Sequence, residues 1–307
     1  MNFDEKIPRK PQGWNNDRLH FFKYMSFETA QIVLTNRTLR WSTPKMMNDL
    51  YDVQIDLNLN LDLEILEELA HEKMWAAISG SDQPKGDGPI ANTLRYLRSS
   101  NRFASRQAFV NDSVGLVSEG LNKVQELLPK TQRELREGLE SLKILCLTDD
   151  PTSPPMWAHY AQQNSGVVIR LRSIPALDSP YGMARPMRYL QEIPPLFDEE
   201  HFSNLFAGQG DDDIREICDR MIYSKGSAWS YEKEWRISAG DGRDKTTPHE
   251  DLRFGSNELD GVILGINMSL KNRQTIIDLT KSYPNVELME AKRSSSGFHH
   301  DIVPISA

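Results

Sequence analysis

The sequence predicts an α+β fold in which a mixed or antiparallel sheet carries flanking helices and a helical insertion. Three observations point to it. Short apolar and aromatic strand-like runs lie towards both ends of the chain, a long block of helical periodicity separates them, and the order of elements lacks the regular strand–helix alternation of a doubly wound parallel sheet. A single α+β domain over residues 19–292 is expected, with the insertion at about 57–143, a flexible leader at 1–18 and a polar tail at 293–307.

The elements follow in order. Residues 19–24 are a short aromatic strand. Residues 27–37 form a helix with Ser26 as N-cap, and its Ala30, Ile32, Val33 and Leu34 are expected to face a core. Residues 38–42 form a second strand, and 43–52 are rich in turns. The insertion opens with an amphipathic helix at 61–78, crosses a Gly/Pro/Asp linker at 79–89 and continues as helical patterns broken by Pro129. Strands return at 143–148, 166–171 and 187–191, with a short helix at 156–163 after a proline-rich turn. Acidic helical material, with Asp211-Asp212-Asp213 as a charged helix start, fills 198–223. A strand at 234–239, a polar loop at 241–257, a buried strand at 261–265, a helix at 270–282 and a strand at 286–290 complete the reading. The tail over 293–301, with His299 and His300, is expected to be mobile and solvated.

Composition narrows the function. The chain has 307 residues, 38% hydrophobic and 26% charged, which is enough apolar material for a core. No apolar run approaches a membrane span, so no membrane partner is expected. The two cysteines, Cys146 and Cys218, fit a reducing cytoplasm rather than a disulfide framework. A net charge of −8 disfavours bulk electrostatic binding of nucleic acid. There is no Gly-x-Gly-x-x-Gly, no phosphate-loop lysine motif and no nucleophile elbow, and the seven histidines do not fall at metal-ligand spacing, so no metal is expected.

Three constellations could carry chemistry. In Trp229-Ser230-Tyr231-Glu232-Lys233-Glu234-Trp235-Arg236, an extended backbone would place Glu232, Glu234 and Arg236 on one face, between Trp229 and Trp235. Two close carboxylates raise each other's pKa unless cations intervene. A solvated edge strand with an arginine partner reads the same residues equally well. In Trp157-Ala158-His159-Tyr160, Trp157 and Tyr160 share a helix face suited to a flat ring, and His159 could titrate near neutral pH. Aromatic core packing is the competing reading. Lys23-Tyr24 and Arg40-Trp41-Ser42 each bring a cation and an aromatic on early strands, the cations being suited to a pyrophosphate. Surface cations beside core aromatics is the alternative there. Tyr223-Ser224-Lys225 is a weaker signal of the same kind.

The ordered landmarks resemble a known family. Phe22-Lys23-Tyr24-Met25-Ser26-Phe27, Leu39-Arg40-Trp41-Ser42, Asn48-Asp49, Leu145-Cys146-Leu147-Thr148, Met156-Trp157-Ala158-His159-Tyr160-Ala161, Gly166-Val167-Val168-Ile169, Tyr223-Ser224-Lys225 and residues 229–236 together look like the bacterial domain of unknown function 2971, over roughly residues 20–265. The strand–helix–strand at 20–42 and the late Glu-x-Glu are more distantly similar to ADP-ribosyltransferase domains, with Lys23 or Tyr24 standing where those domains carry His or Arg. That resemblance implies a split sheet of ADP-ribosyltransferase type and NAD as a substrate. It implies Glu234 first and Glu232 second as catalytic carboxylates, with Lys23 and Arg40 on the pyrophosphate and Tyr24, Trp157 or Tyr160 against the nicotinamide. Ser42, Trp41, Trp229 and Arg236 join the expected cofactor site.

The expected activity is ADP-ribosyl transfer to a protein or nucleic-acid acceptor, as in a toxin or phage-defence effector, with an antitoxin or regulatory protein as a candidate partner. Two alternatives remain at this point: a metal-dependent or His/Glu nuclease using His159 and the paired carboxylates Glu232 and Glu234, and a non-catalytic ligand-sensing or protein-binding module.

Overall fold

A computed structural model describes residues 13–54, 58–85, 87–193, 195, 197–209 and 214–305. The first part of the expected leader and the Asp211-Asp212-Asp213 helix start lie outside the described residues. The elements run β1 (His20–Met25), α1 (Phe27–Asn36), β2 (Thr38–Ser42), α2 (Leu63–Ser79), α3 (Pro89–Ser100), α4 (Arg106–Asp112), α5 (Leu116–Leu139), β3 (Ile144–Thr148), α6 (Pro154–Tyr160), β4 (Val167–Arg172), β5 (Arg185–Pro186), β6 (Arg188–Leu190), α7 (Glu199–Phe206), α8 (Ile214–Ile222), β7 (Ser224–Gly226), β8 (Glu234–Ser238), β9 (His249–Arg253), β10 (Leu259–Leu264), α9 (Leu270–Thr280), β11 (Glu287–Arg293) and β12 (His300–Pro304). The fold is α+β with a mixed sheet.

The chain forms two compact units. The first comprises the described residues of Met1–Val53, Gly138–Gln191 and Tyr223–Ala307. Its main sheet follows the order β12-β11-β10-β4-β1-β3-β2-β9, with β8 on β3 and β5 on β8. Among the described residues only β10 and β11 run parallel within it, and β6 and β7 form a separate parallel pair.

The sheet splits at β3. Every residue of β3 pairs with β8 along one edge, from Ile144↔Ser238 to Thr148↔Glu234. The opposite edge is shared: Thr148 pairs with Phe22 of β1, and Ile144 pairs with Ser42 of β2. Between these two bridges β1 and β2 part, leaving the middle of β3 without a strand partner on that edge among the described residues. Backbone polar groups exposed in this way need other partners.

One sheet face packs the main core. Phe21, Leu39, Trp41, Leu145, Leu147, Ile169 and Ile237 meet Val33 and Leu34 of α1 and Ile276 of α9. Alternate residues face the other side, where Tyr24, Val168, Ile263 and Met289 meet Met156 and Trp157 of α6. Ser26 caps α1 by accepting from Thr29 N at 3.2 Å, and Arg37 ends it in the left-handed region. Ile32 departs from the expected core face: it is exposed, because the helix turns it outward while Ala30, Val33 and Leu34 are buried. After α6 the chain turns through consecutive left-handed Gln162, Gln163 and Asn164. At Gly166 any Cβ would lie 2.3 Å from the Met25 carbonyl oxygen, so this tight return into β4 requires glycine.

Two polar stretches expected as loop and tail are strands. β9 lies inside the expected 241–257 loop and pairs with all of β2, including Trp41↔Glu250. β12 lies in the expected mobile tail and pairs with β11 from Arg293↔His300 to Met289↔Pro304. His300 is buried rather than solvated: its ring meets Trp157 edge-on at 5.8 Å and its backbone N–H donates to the Thr152 carbonyl at 3.0 Å.

The second unit comprises the described residues of Gln54–Glu137 and Glu192–Ile222, so it joins the expected insertion to the acidic helices that follow. Asp62 caps α2 by accepting from Glu64 N and Ile65 N, and Gly80 ends it at φ 93. Lys73 ties α2 to α7 through Glu200 Oε1 at 2.6 Å and Asn204 Oδ1 at 2.7 Å. Pro129 does not end the helical pattern: α5 runs through it, although the proline brings no backbone donor and crowds the carbonyl one turn before it.

Candidate functional site

The gap between β1 and β2 opens a cleft of about 280 Å³ within the first unit. Lys23 and Tyr24 of β1, Arg40 and Ser42 of β2, Cys146 and Thr148 of β3, and Glu234 of β8 line it. Tyr160 at the end of α6, Lys225 of β7, Glu232, and the turn residues Met46, Met47, Asn48 and Asp52 also line it, with Phe22, Ile144, Leu147 and Met156 as its apolar part. The orphan edge of β3 is served by a side chain: Lys23 Nζ donates to the Cys146 carbonyl at 2.8 Å. Burial pulls the Lys23 pKa below its ordinary value, against the opposing pull of Glu234.

Behind the cleft lies a buried ionic network. Asp52 accepts both arms of the Arg236 guanidinium at 2.5 Å each. Arg236 also donates from Nε to Glu234 Oε1 at 2.6 Å and from a terminal nitrogen to Oε2 at 3.2 Å. Lys225 Nζ joins Glu232 at 2.5 Å and Glu234 at 3.0 Å, and lies 3.7 Å from Asp52. Arg236 is 0% exposed and none of the others exceeds 6%. Three carboxylates against two cations leave one negative charge, with Lys23 close by. Buried charges persist only when paired in this way.

The two glutamates are driven apart in pKa. For Glu234, burial pushes the carboxyl up, but Arg236 and Lys225 outweigh it and hold it down at about 2. For Glu232, burial wins over Lys225 and the carboxyl is raised above its ordinary value. The Tyr160 hydroxyl donates to Glu232 and accepts from Asn48 Nδ2 at 2.8 Å, and burial and Glu232 raise its own pKa. Lys225 is held protonated: burial disfavours its charge, but Glu234, Asp52 and Glu232 prevail. Carboxylates whose environments separate their titrations are the pattern of paired acid and base roles.

Acceptor capacity also differs between them. A carboxylate offers about four lone-pair positions. Glu234 takes two donors from Arg236 and one from Lys225, whereas Glu232 takes one from Lys225 and one from Tyr160. Glu232 therefore keeps more capacity for a bound molecule.

Of the residues singled out from sequence, Lys23, Tyr24, Arg40, Ser42, Tyr160, Glu232 and Glu234 meet on the cleft. The tryptophans and His159 do not line it. Trp41 is in the main core because it alternates with Arg40 and Ser42 along β2. Trp157 is fully buried, donating from Nε1 to the Pro151 carbonyl at 2.8 Å. Trp229 lies under the Lys225 ammonium at 4.9 Å. Trp235 faces away from Glu234, edge-on to Phe21 at 5.4 Å. His159 is exposed beside Tyr160 and Tyr231. Arg236 stands behind the wall as the partner of its carboxylates. Glu232 and Glu234 do not share a strand face: Glu232 ends a 3₁₀ turn, Lys233 is left-handed at φ 44, and β8 begins at Glu234.

Sequence reasoning missed Asp52 and undervalued Lys225. Asn48 was legible only as a landmark, and Tyr189, whose hydroxyl accepts from Glu234 N at 2.7 Å, carried no signal. Its pKa is pushed up to about 12 by burial. Among the described residues no group of three or more His, Cys, Asp or Glu is placed to hold a metal ion, and no helix is long and apolar enough to cross a membrane.

The stretch from α6 through β8 thus supplies Tyr160, Lys225, Glu232, Glu234 and Arg236 in a single segment. Residues 156–237 match the family described as Protein of unknown function (DUF2971). The match bears out the family resemblance on the landmarks at 156–161, 166–169, 223–225 and 229–236. The matched segment therefore contributes Tyr160, Lys225, Glu232, Glu234 and Arg236, while Lys23, Arg40 and Asp52 come from the chain before it. No curated protein and no solved structure matches the chain.

Proposed function

We propose that the cleft binds NAD and transfers its ADP-ribose group to an acceptor nucleophile. The observation that carries this reading is the meeting of Lys23, Arg40, Tyr160, Glu232 and Glu234 on one cleft at the split of the sheet. Breaking the nicotinamide–ribose bond passes through an oxocarbenium-like state, which gains from a fixed anion beside the sugar. The network's excess of one carboxylate supplies that sign of charge. Glu234, ionised down to low pH, is the standing anion. Glu232, with spare acceptor capacity and a raised pKa, takes a ribose hydroxyl. Arg40 and Lys23 meet the pyrophosphate, and Tyr24 and Tyr160 meet the nicotinamide ring. The acceptor is a protein or nucleic-acid group.

A His/Glu nuclease draws less support, because His159 lies off the lining that holds both glutamates. The test is incubation of the purified protein with NAD, alone and with candidate acceptors, followed by measurement of nicotinamide release. Release that falls at least a hundredfold in both Glu232→Gln and Glu234→Gln is expected, on the scale of lost electrostatic stabilisers. Absence of release with every acceptor, together with no heat of NAD binding, would overturn the proposal.

A further inference from the structure

We infer that Asp52 is a positioning residue: it fixes the Arg236 guanidinium, and through that rigid plane it sets the direction of the Glu234 carboxylate facing the cleft. The inference rests on the reading of the cleft as an ADP-ribosyl-transferring site. Asp52 is 2% exposed and grips both terminal nitrogens of Arg236 at 2.5 Å. A guanidinium is planar and its donors keep fixed relative directions, so holding one edge of the fork aims the other. That other edge is Nε, 2.6 Å from Glu234 Oε1. Lys225 spans the same two carboxylates from a second side, at 3.0 Å from Glu234 and 3.7 Å from Asp52.

The backbone delivers Asp52 under constraint. Its N–H donates to the Asp49 carbonyl at 3.1 Å, and Asp49 Oδ1 accepts from Tyr51 N at 3.0 Å, which closes the turn before it. Val53 follows at φ 60 and is buried. A β-branched residue rarely adopts that left-handed conformation, which persists where the surroundings over-determine it. The turn and the ion pair together hold Asp52 in place. A mere countercharge for Arg236 would not need its carboxylate held in this way.

The distinguishing measurement is the titration of Glu234 in the full chain, followed by carbon-13 NMR of the labelled glutamate side-chain carboxyls and assigned with Glu234→Gln. Two variants are compared with the parent protein. Asp52→Glu keeps the charge and displaces the carboxylate by one methylene, and Asp52→Asn removes the charge and keeps the shape. If Asp52 positions Arg236, both variants loosen Arg236 from Glu234, and in Asp52→Glu, which keeps the charge, the Glu234 midpoint rises by about one pH unit or more, a tenfold gain in proton affinity, while in Asp52→Asn the lost negative charge offsets part of the rise. If Asp52 acts only through its charge, Asp52→Glu leaves the midpoint in place and Asp52→Asn lowers it, which overturns the inference. Should Asp52→Asn fail to fold, Asp52→Glu alone decides. In parallel, nicotinamide release from NAD is expected to lose kcat at little changed KM in Asp52→Glu. Absence of release from the parent protein would sink the NAD reading, and the titration would still judge the role of Asp52.

Discussion

The Lys23 ammonium donates to the Cys146 carbonyl oxygen at 2.8 Å across the gap where β1 and β2 part. A cation here substitutes for a strand. Replacing it with methionine leaves that carbonyl without its donor, which costs about 1–3 kcal/mol for a buried group. The relief of burying an ammonium offsets part of this. Lys23→Met is therefore expected to lose about 1 kcal/mol in urea unfolding with an unchanged denaturant slope. An unmoved or raised midpoint would show that the gap does not depend on Lys23.

Arg236 sits at the centre of the buried charges, bound to Asp52 and Glu234. Arg236→Met fills similar volume but leaves two carboxylates short of their partner. Breaking a buried pair from one side costs about 3–5 kcal/mol. This variant is expected to be the most destabilised of the site substitutions by chemical denaturation. A loss below about 1 kcal/mol, the scale of an exposed ion pair, would mean that the network is reached by solvent.

Acid stability follows from the Glu234 titration. Its folded pKa lies below the unfolded value, so the folded state binds fewer protons in that window. The stabilisation is present above pH of about 4.5 and is lost as the pH falls towards 2, on the order of 3 kcal/mol. Glu232 has the opposite sign: its cost is present above its raised folded pKa and is relieved as the pH falls through it. Unfolding measured at a series of pH values should show an acid limb that flattens in Glu234→Gln. An unchanged limb in that variant would assign acid sensitivity to other groups.

Tyr160 tunes Glu232. Its hydroxyl favours the ionised carboxylate by donating to it. Tyr160→Phe should therefore raise the Glu232 pKa further, moving the acidic limb of nicotinamide release to higher pH while the alkaline side stays in place. An Asn48→Ala variant should move the same limb in the same direction by less, because it touches Glu232 only through Tyr160. A limb that stays put in Tyr160→Phe would separate Glu232 from the rate.

The site was legible where unusual residues sit close in sequence. Glu232 and Glu234 between tryptophans, and cations beside aromatics on early strands, drew notice and met on the cleft. Their roles were less legible. Strand alternation alone takes Trp41 away from Arg40 and Trp235 away from Glu234 once β2 and β8 are known to have one core face. The 3₁₀ turn that ends at Glu232 concealed that Glu232 and Glu234 reach the cleft from different elements. Asp52 and Arg236 are separated by most of the chain, and no local pattern pairs them. β9 and β12 escaped for a related reason: His249-Glu250-Asp251-Leu252-Arg253 and His300-Asp301-Ile302-Val303-Pro304 lack clean apolar alternation, and they are strands because β2 and β11 offer them an edge.

Those same two strands have a consequence for the protein in concentrated solution. Among the described residues β9 and β12 end the main path of the sheet, a position whose free backbone groups could recruit another chain. Each is five residues long. β9 carries Glu250, Asp251 and Arg253, and β12 carries Asp301 and finishes on Pro304. Short length, charge and a missing donor are the devices that blunt such borders. Polar composition, which hid these strands from sequence reading, therefore also guards the molecule against edge-to-edge association, and trimming β12 would uncover the more apolar Leu288-Met289 stretch of β11 to self-pairing.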